Sequence, residues 1–263
     1  MIKFKEISGL TLENTSDLPK IQRTDDGKNI GHIPGWKYLI DPEFASTTNV
    51  RNRALANSIS KASRAVTTVI QNDDVLFDFK TTALRIDSNS NVAINPSEFT
   101  MFAVINAAQS TSSYPLWIFR GNTTSTTANI VDDIPNFCIS ANGGQCSVFK
   151  RITDNIYDQL VANNLRVATF ALNKNMKTNS ALSLLILSFN TTTGYTLSQD
   201  GVVIGTVPYK TPLANNLNDF SSFRNLAGVA GKVGILDIDL HLAENTIYRK
   251  QLESYLMNKY QIQ

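Results

Sequence analysis

Short runs of strand-forming residues, separated by polar punctuation, follow one another along most of the chain. They begin with "VLFDF" (75–79), "FTMFAVI" (99–105), "PLWIF" (115–119), "NFCIS" (136–140) and "CSVFK" (146–150). They continue with "RVATFAL" (166–172), "LSLLILSF" (182–189), "YTLSQ" (195–199), "VVIGTV" (202–207) and "VGILDIDL" (233–240). The intervals leave no room for the crossover helices of a doubly wound α/β fold, so the pattern predicts an all-β sandwich or barrel.

Individual runs say how each strand should be covered. In "ILDIDL" the apolar Leu236, Ile238 and Leu240 alternate with Asp237 and Asp239, the period of two expected of a strand with one buried and one wet face. "FTMFAVI" and "LLIL" are apolar on both parities, which predicts strands covered on both sides. Asp200-Gly201 in "SQDGVV" supplies the positive φ of a tight hairpin turn. From Arg51 to Ile70 two readings stand: Leu55, Ile59, Ala62, Val66 and Val69 fall at helical spacing, while the Ser, Asn and Thr between them favour loops.

Three stretches read as loops: 109–115, 121–135 and 208–222, dominated by Pro, Asn, Ser and Thr. Long loops in compact domains commonly carry function, so a ligand is expected there. Residues 1–35, turn-rich and poor in large apolar side chains, read as an arm that docks on another surface, with residues 36–263 as the domain. Trp36, beside Gly35, is placed to anchor that arm, and Trp117, inside a strand run, reads as core.

The chain closes on "HLAENTIYRKQLESYLMNKYQIQ" (241–263), where Tyr248, Leu252, Tyr255 and Leu256 recur at i, i+4, i+7 and i+8. They form one apolar stripe, with Arg249, Lys250, Glu253 and Lys259 on the other faces, and predict a helix over 245–260 packed on the sandwich. Asn245 stands at the N-cap position, and Lys259 in the last turn complements the helix dipole.

The order of a strand after Gly ("GKVGILDIDLHL"), a short turn and the tail Glu253, Tyr255, Leu256, Lys259 and Tyr260 resembles the end of concanavalin A-like lectin/glucanase domains in their laminin-G-like form. "FTMFAVIN" (99–106) and the "LSQDGVVIGT" hairpin match further parts of that pattern, so the anchors cover roughly 75–263, and "GWKYLIDPEFAS" is similar to the start of such domains in phage structural proteins. The resemblance implies two antiparallel sheets in a concanavalin A-like jelly roll with the terminal helix packed on it. It also implies a lectin-like domain in a bacteriophage virion.

Composition narrows the partners. With 24 basic and 22 acidic residues and a net charge of +2, the chain carries no polybasic footprint for nucleic acid or anionic lipid. No apolar run approaches the ~20 residues of a membrane-spanning helix, and "MIKFKEISGL" has no signal-peptide core. The expectation is a soluble protein made in a host cytoplasm without export signal. Cys138 and Cys146 flank a Gly143-Gly144 turn; two buried thiols are expected, although a hairpin there would bring them onto neighbouring strands.

Catalytic patterns are sparse. The resemblance to glucanases would require two Glu with an Asp between them on one strand, a retaining carboxylate pair. The six Glu, at 6, 13, 43, 98, 244 and 253, do not form that pattern. Asp237 and Asp239 share a strand parity but read as solvated, His32 and His241 make no metal motif, and no G-x-S-x-G elbow marks a nucleophile. Asp132-Asp133 beside Asn129 offers oxygen ligands of the kind Ca²⁺ takes, but reads as exposed charge, and no cofactor is expected.

A sugar site is the better fit to the loops: Tyr114 and Tyr209 for stacking, with Asp132, Asp133, Asn215 and Asn216 for hydroxyls. The alternative for both tyrosines, each beside a proline, is to pack a loop on the sandwich. The function expected is non-catalytic: a virion surface protein binding host glycan, a receptor-binding or fibre component. The alternative is a structural head-decoration or fibre-attachment subunit. In both, residues 1–35 contact other virion proteins and the protein is a homo-oligomer.

Overall fold

The computed structural model describes residues 30–55, 58–80, 86–87, 94–108, 114–120, 135–139, 143–149, 166–179, 181–212, 219–222 and 227–263. Its strands, in chain order, are β1 (Trp36–Ile40), β2 (Asn49–Arg51), β3 (Ile59–Ala62), β4 (Thr68–Gln71), β5 (Asp74–Asp78), β6 (Ile86–Asp87), β7 (Glu98–Asn106) and β8 (Tyr114–Arg120). The second half adds β9 (Pro135–Ile139), β10 (Gln145–Phe149), β11 (Arg166–Ala171), β12 (Ser183–Asn190), β13 (Gly194–Gln199), β14 (Val202–Val207), β15 (Asp219–Ser222) and β16 (Val229–Leu236) before helix α1 (Thr246–Lys259).

These strands form two antiparallel sheets. The first runs β14-β13-β12-β7-β16-β5-β4, with β1 also paired to β16; the second runs β11-β10-β9-β8-β15-β6-β3-β2. Of the sandwich and the barrel that the strand series left open, the fold is the all-β jelly-roll sandwich that the resemblance implied, closed by a C-terminal amphipathic helix.

The double-sided apolar strands explain the layering. Phe99, Met101 and Ile105 of β7 and Leu185, Leu187 and Phe189 of β12 face the second sheet, where they meet Val50, Ile86, Cys146, Val148 and Phe170. The alternate residues, Phe102 and Val104 of β7 and Leu184 and Ile186 of β12, face outward and are covered by Leu252, Leu256, Tyr260 and Ile262, with Ile30 and Ile33 alongside. Each fully buried side chain of this size is worth about 1.5–3 kcal/mol, so the sheet needs a cover on both faces and α1 supplies one of them. The stripe predicted for the helix is the one that docks: Leu252 and Leu256 are buried, and Tyr248 and Tyr255 pack beside them.

Helix docking also depends on glycine. A Cβ on Gly231 would lie 2.6 Å from the ring of Tyr260, so only glycine leaves room for that ring. The Tyr260 hydroxyl accepts from the Lys232 backbone N–H at 3.0 Å, where the pairing of β16 with β7 is irregular between Ala230 and Val233.

Several expectations need correction. "ILDIDL" is not a half-wet strand: β16 ends at Leu236 and is buried on both faces, and Asp239 is 1% exposed. The chain leaves the sheet there and crosses the ends of β7 and β12, where Asp239 finds partners of its own. Glu253, assigned to the open side of the helix, is buried beside the Gly201 turn, with Arg249 at 3.7 Å and Lys250 at 3.3 Å but no hydrogen bond to either carboxylate oxygen. Asn245 stands at the N-cap but makes no side-chain cap; its amide donates to the Asp239 carbonyl at 2.8 Å.

The stretch from Arg51 to Ile70 is neither helix nor simple loop but contributes to β2, β3 and β4, followed by a tight turn with Asn72 (φ 51°) and Asp73 (φ 66°) into β5. Tyr114 and Pro115, read as loop, begin β8, and the end of 208–222 forms β15, because each gains a paired strand neighbour. Asp200 (φ 51°) and Gly201 (φ 78°) make the predicted hairpin turn. Cys138 stands opposite Ser147 and Cys146 opposite Ile139, so the predicted hairpin forms with the cysteines at adjacent rather than facing positions.

Candidate functional site

The two sheets are tied at one end of the sandwich. There the Met176 N–H donates to the Gly143 carbonyl at 2.8 Å, and Lys174 and Gln199 exchange two hydrogen bonds of 3.0 Å. Tyr114, paired with Ile139 beside that turn, belongs to this end. Arg120 and Asp219 face one another at the opposite end of the second sheet, with Pro135 nearby across from Ile118. Val207, paired with Tyr195, leads to Tyr209 at the corresponding end of the first sheet.

Consequently Arg120, Pro135 and Asp219, the described residues next to 121–134 and 213–218 in sequence, stand at strand ends on the side of Tyr209. Tyr114 starts β8 six residues from Arg120, about 20 Å away at strand rise. Asp132, Asp133, Asn215, Asn216 and Asn129 lie outside the described residues, as does the side chain of Tyr114. Tyr209 is half-buried and packs on the edge of the inter-sheet core, with its N–H donating to Val207 O at 2.8 Å.

A second place was not anticipated from the sequence. A cavity of about 430 Å³ is lined by Phe44, Ser46, Asn49, Arg51, Ser58 and Ile59. Phe44 ends a 3₁₀ turn (Pro42–Phe44) started by Asp41, whose carboxylate accepts from the Glu43 N–H at 3.2 Å. The same carboxylate, fully buried, holds Arg53 at 2.7 Å and the buried Lys232 at 2.9 Å. Burial pulls the Lys232 pKa below its ordinary value, and Asp41 opposes that shift. Arg53 in turn lies 4.3 Å over the Phe44 ring. The local signal was the helix-starting "DPEF"; the partners come from elsewhere, Arg53 from the turn after β2 and Lys232 from β16.

Serine, histidine and aspartate do meet, at the crossing from β16 to α1. The Ser188 hydroxyl lies 2.8 Å from His241 Nδ1 and 2.7 Å from Thr100 Oγ1, which donates to the Ile238 carbonyl. Asp239 accepts from the His241 backbone N–H at 2.7 Å and from the Asn190 amide, not from the imidazole ring. Ser188 has no exposure, so the set lacks both the ring-oriented acid and the accessible nucleophile that acyl transfer needs. Burial drops the His241 pKa to about 3, keeping the ring neutral, and burial raises that of Asp239. The cluster pins β7 and β12 to the start of the helix.

Asp237 pairs with Lys37 at 2.9 Å and accepts from the Asn95 N–H, so it shares neither partner nor environment with buried Asp239. Among the described residues no three His, Cys, Asp or Glu gather as a metal site. Nor, among them, is any helix long and apolar enough to cross a membrane.

No protein-family model matches the sequence. No curated protein matches it either. Solved structures do share its fold. The botulinum neurotoxin serotype D binding domain aligns with a TM-score of 0.54 at 8% identity, covering 85% of this chain and 52% of that one. A Trypanosoma rangeli sialidase aligns at 0.51 and 10% identity, covering 86% and 33%, and the botulinum neurotoxin type G receptor binding domain at 0.51 and 8%, covering 82% and 51%. The chain thus spans from a third to about half the length of these structures, and what it shares with them is the β-sandwich fold.

Proposed function

We propose that the chain is a non-catalytic, glycan-binding module with its site at the Tyr209 end of the sandwich. What supports this reading is topological: Arg120 and Asp219, which border in sequence the polar segments that hold Asp132, Asp133, Asn215 and Asn216, stand at strand ends on the side of Tyr209. An aromatic ring with amides and carboxylates about it is the chemistry that recognises sugar hydroxyls and the pyranose face. The lectin-like fold agrees with that reading as an association rather than as a mechanism.

Within this reading the module serves a bacteriophage particle as a host-adhesion component, present as a homo-oligomer and docked on other virion proteins through the part of the 1–35 arm before Ile30, since Ile30 and Ile33 are buried in the domain itself. The virion setting rests on the resemblance of the sequence to phage domains.

The test is a bacterial glycan array probed with the purified protein, with and without Ca²⁺. Binding abolished by Tyr209→Ala and by Asn215→Ala/Asn216→Ala, and retained in Tyr114→Ala, is the expected result. Silence across a broad array replaces this reading with that of an assembly subunit of the particle.

A further inference from the structure

The cavity beside Phe44 combines features that serve one ligand chemistry. β2 and β3 pair with Asn49 opposite Lys61, Val50 opposite Ser60 and Arg51 opposite Ile59. Val50 and Ser60 are buried, so the alternation turns Asn49, Arg51 and Ile59 to the outside, where they line the cavity. Ile59 (47% exposed) and Phe44 (48%) are large apolar side chains left open to water.

The lining joins two exposed apolar side chains, Phe44 and Ile59, to the polar Ser46, Asn49, Arg51 and Ser58, a mix that matches a sugar ring, apolar on its faces and polar at its edge. The volume lies in the range of small-ligand sites. Arg51 has no ion-pair partner among the described residues, and a guanidinium offers two parallel donors that match a carboxylate. Phe44 is braced on one face by Arg53, itself held by Asp41, so the ring is positioned before any ligand arrives.

We infer that this cavity binds a carboxylate-bearing pyranose, with the sugar ring against Phe44 and Ile59, the carboxylate on Arg51 and a hydroxyl on the Asn49 amide. The inference rests on the reading of the chain as a glycan-binding module and adds to it a separate site and a sugar class.

The experiment compares methyl glucuronide with methyl glucoside, which differ at the carboxylate, by titration against the isotope-labelled full chain followed by amide chemical-shift mapping. Methyl glucuronide is expected to shift the amides of residues 44–51 and 58–60 and to bind about tenfold more tightly than the glucoside, the scale of a charge-assisted pair. Arg51→Gln should reduce the glucuronide to the affinity of the glucoside, and Phe44→Ala should remove both, with an unchanged spectrum elsewhere showing that each variant is folded. Equal affinity for the two sugars, shifts confined to other surfaces, or indifference to Arg51→Gln overturns the inference. Array binding lost in Tyr209→Ala, together with no glucuronide shifts at residues 44–51 and 58–60, sinks this site alone; glucuronide binding here with a silent array for neutral glycans supports it while the Tyr209 site falls.

Discussion

Asp41 is the residue whose removal should cost the fold most for its size. Its carboxylate, fully buried, accepts from Lys232 Nζ (2.9 Å), Arg53 Nη1 (2.7 Å) and the Glu43 N–H (3.2 Å). Lys232 is itself 2% exposed, so Asp41→Ala leaves an ammonium in the protein interior with Lys259 as a further unfavourable charge. Breaking a buried pair by removing one partner costs about 3–5 kcal/mol, a large part of the roughly 5–15 kcal/mol that holds a domain together. Urea unfolding should show a lower midpoint at an unchanged slope.

The deficit should also depend on pH in a definite direction. A lysine whose folded pKa lies below its unfolded value binds fewer protons when folded, so stability rises with pH between the two. Asp41→Ala lowers the folded value further, and the variant should therefore recover as pH is raised toward 10, more than the wild type does. Pairing it with Lys232→Met removes the stranded charge and should restore most of the loss. A single variant that loses less than about 1 kcal/mol, or a double variant no better than the single, refutes the account of this pair as mutually dependent.

His241, neutral in the fold with its pKa dropped to about 3 from 6.5, should make stability fall as pH drops from 6.5 toward 3, by up to about 1.4 kcal/mol per unit; Asp239, with a raised pKa, acts in the opposite sense, so the difference between wild type and His241→Gln across an acid titration isolates the histidine. Leu256→Ala should cost about 2–5 kcal/mol and raise amide exchange in α1 and on the outer face of β7 and β12; exchange unchanged there would mean that the helix does not cover the sheet. Gly234→Ala should destabilise far more than Gly201→Ala: at 234 a Cβ meets the Phe102 ring at 2.5 Å and the Tyr38 carbonyl at 2.9 Å, whereas at 201 it meets nothing closer than 3.5 Å and pays only for positive φ, about 1 kcal/mol, as thermal unfolding of the two variants would show.

Some elements were legible because their cause is local. Both-parity apolar runs in β7 and β12 demanded two covered faces, Asp200-Gly201 demanded a hairpin, and the stripe from Tyr248 to Leu256 demanded a helix with one buried side. Others were not. β2 and β3 are three and four residues long, and β15 is four, too short to show a period against a polar background; they exist because a neighbouring strand offers hydrogen bonds. The Phe44 cavity was hidden for the same reason, since the brace on its ring comes from Arg53, Asp41 and Lys232 on separate elements.

Asp239 and Glu253 mark the boundary between the two kinds of information. Both sit in patterns that assign a charged residue to water, and both are buried, because whether a carboxylate meets solvent is decided by what the rest of the chain places against it. Periodicity and turn chemistry alone determined an all-β fold, sandwich or barrel, with a helical cover, since they follow from backbone geometry within a few residues. Which face the helix covers, which acids lose their water and where an aromatic ring is left braced and open were settled only in three dimensions, where hydrogen-bond partners and charges distant in sequence come within reach of one another.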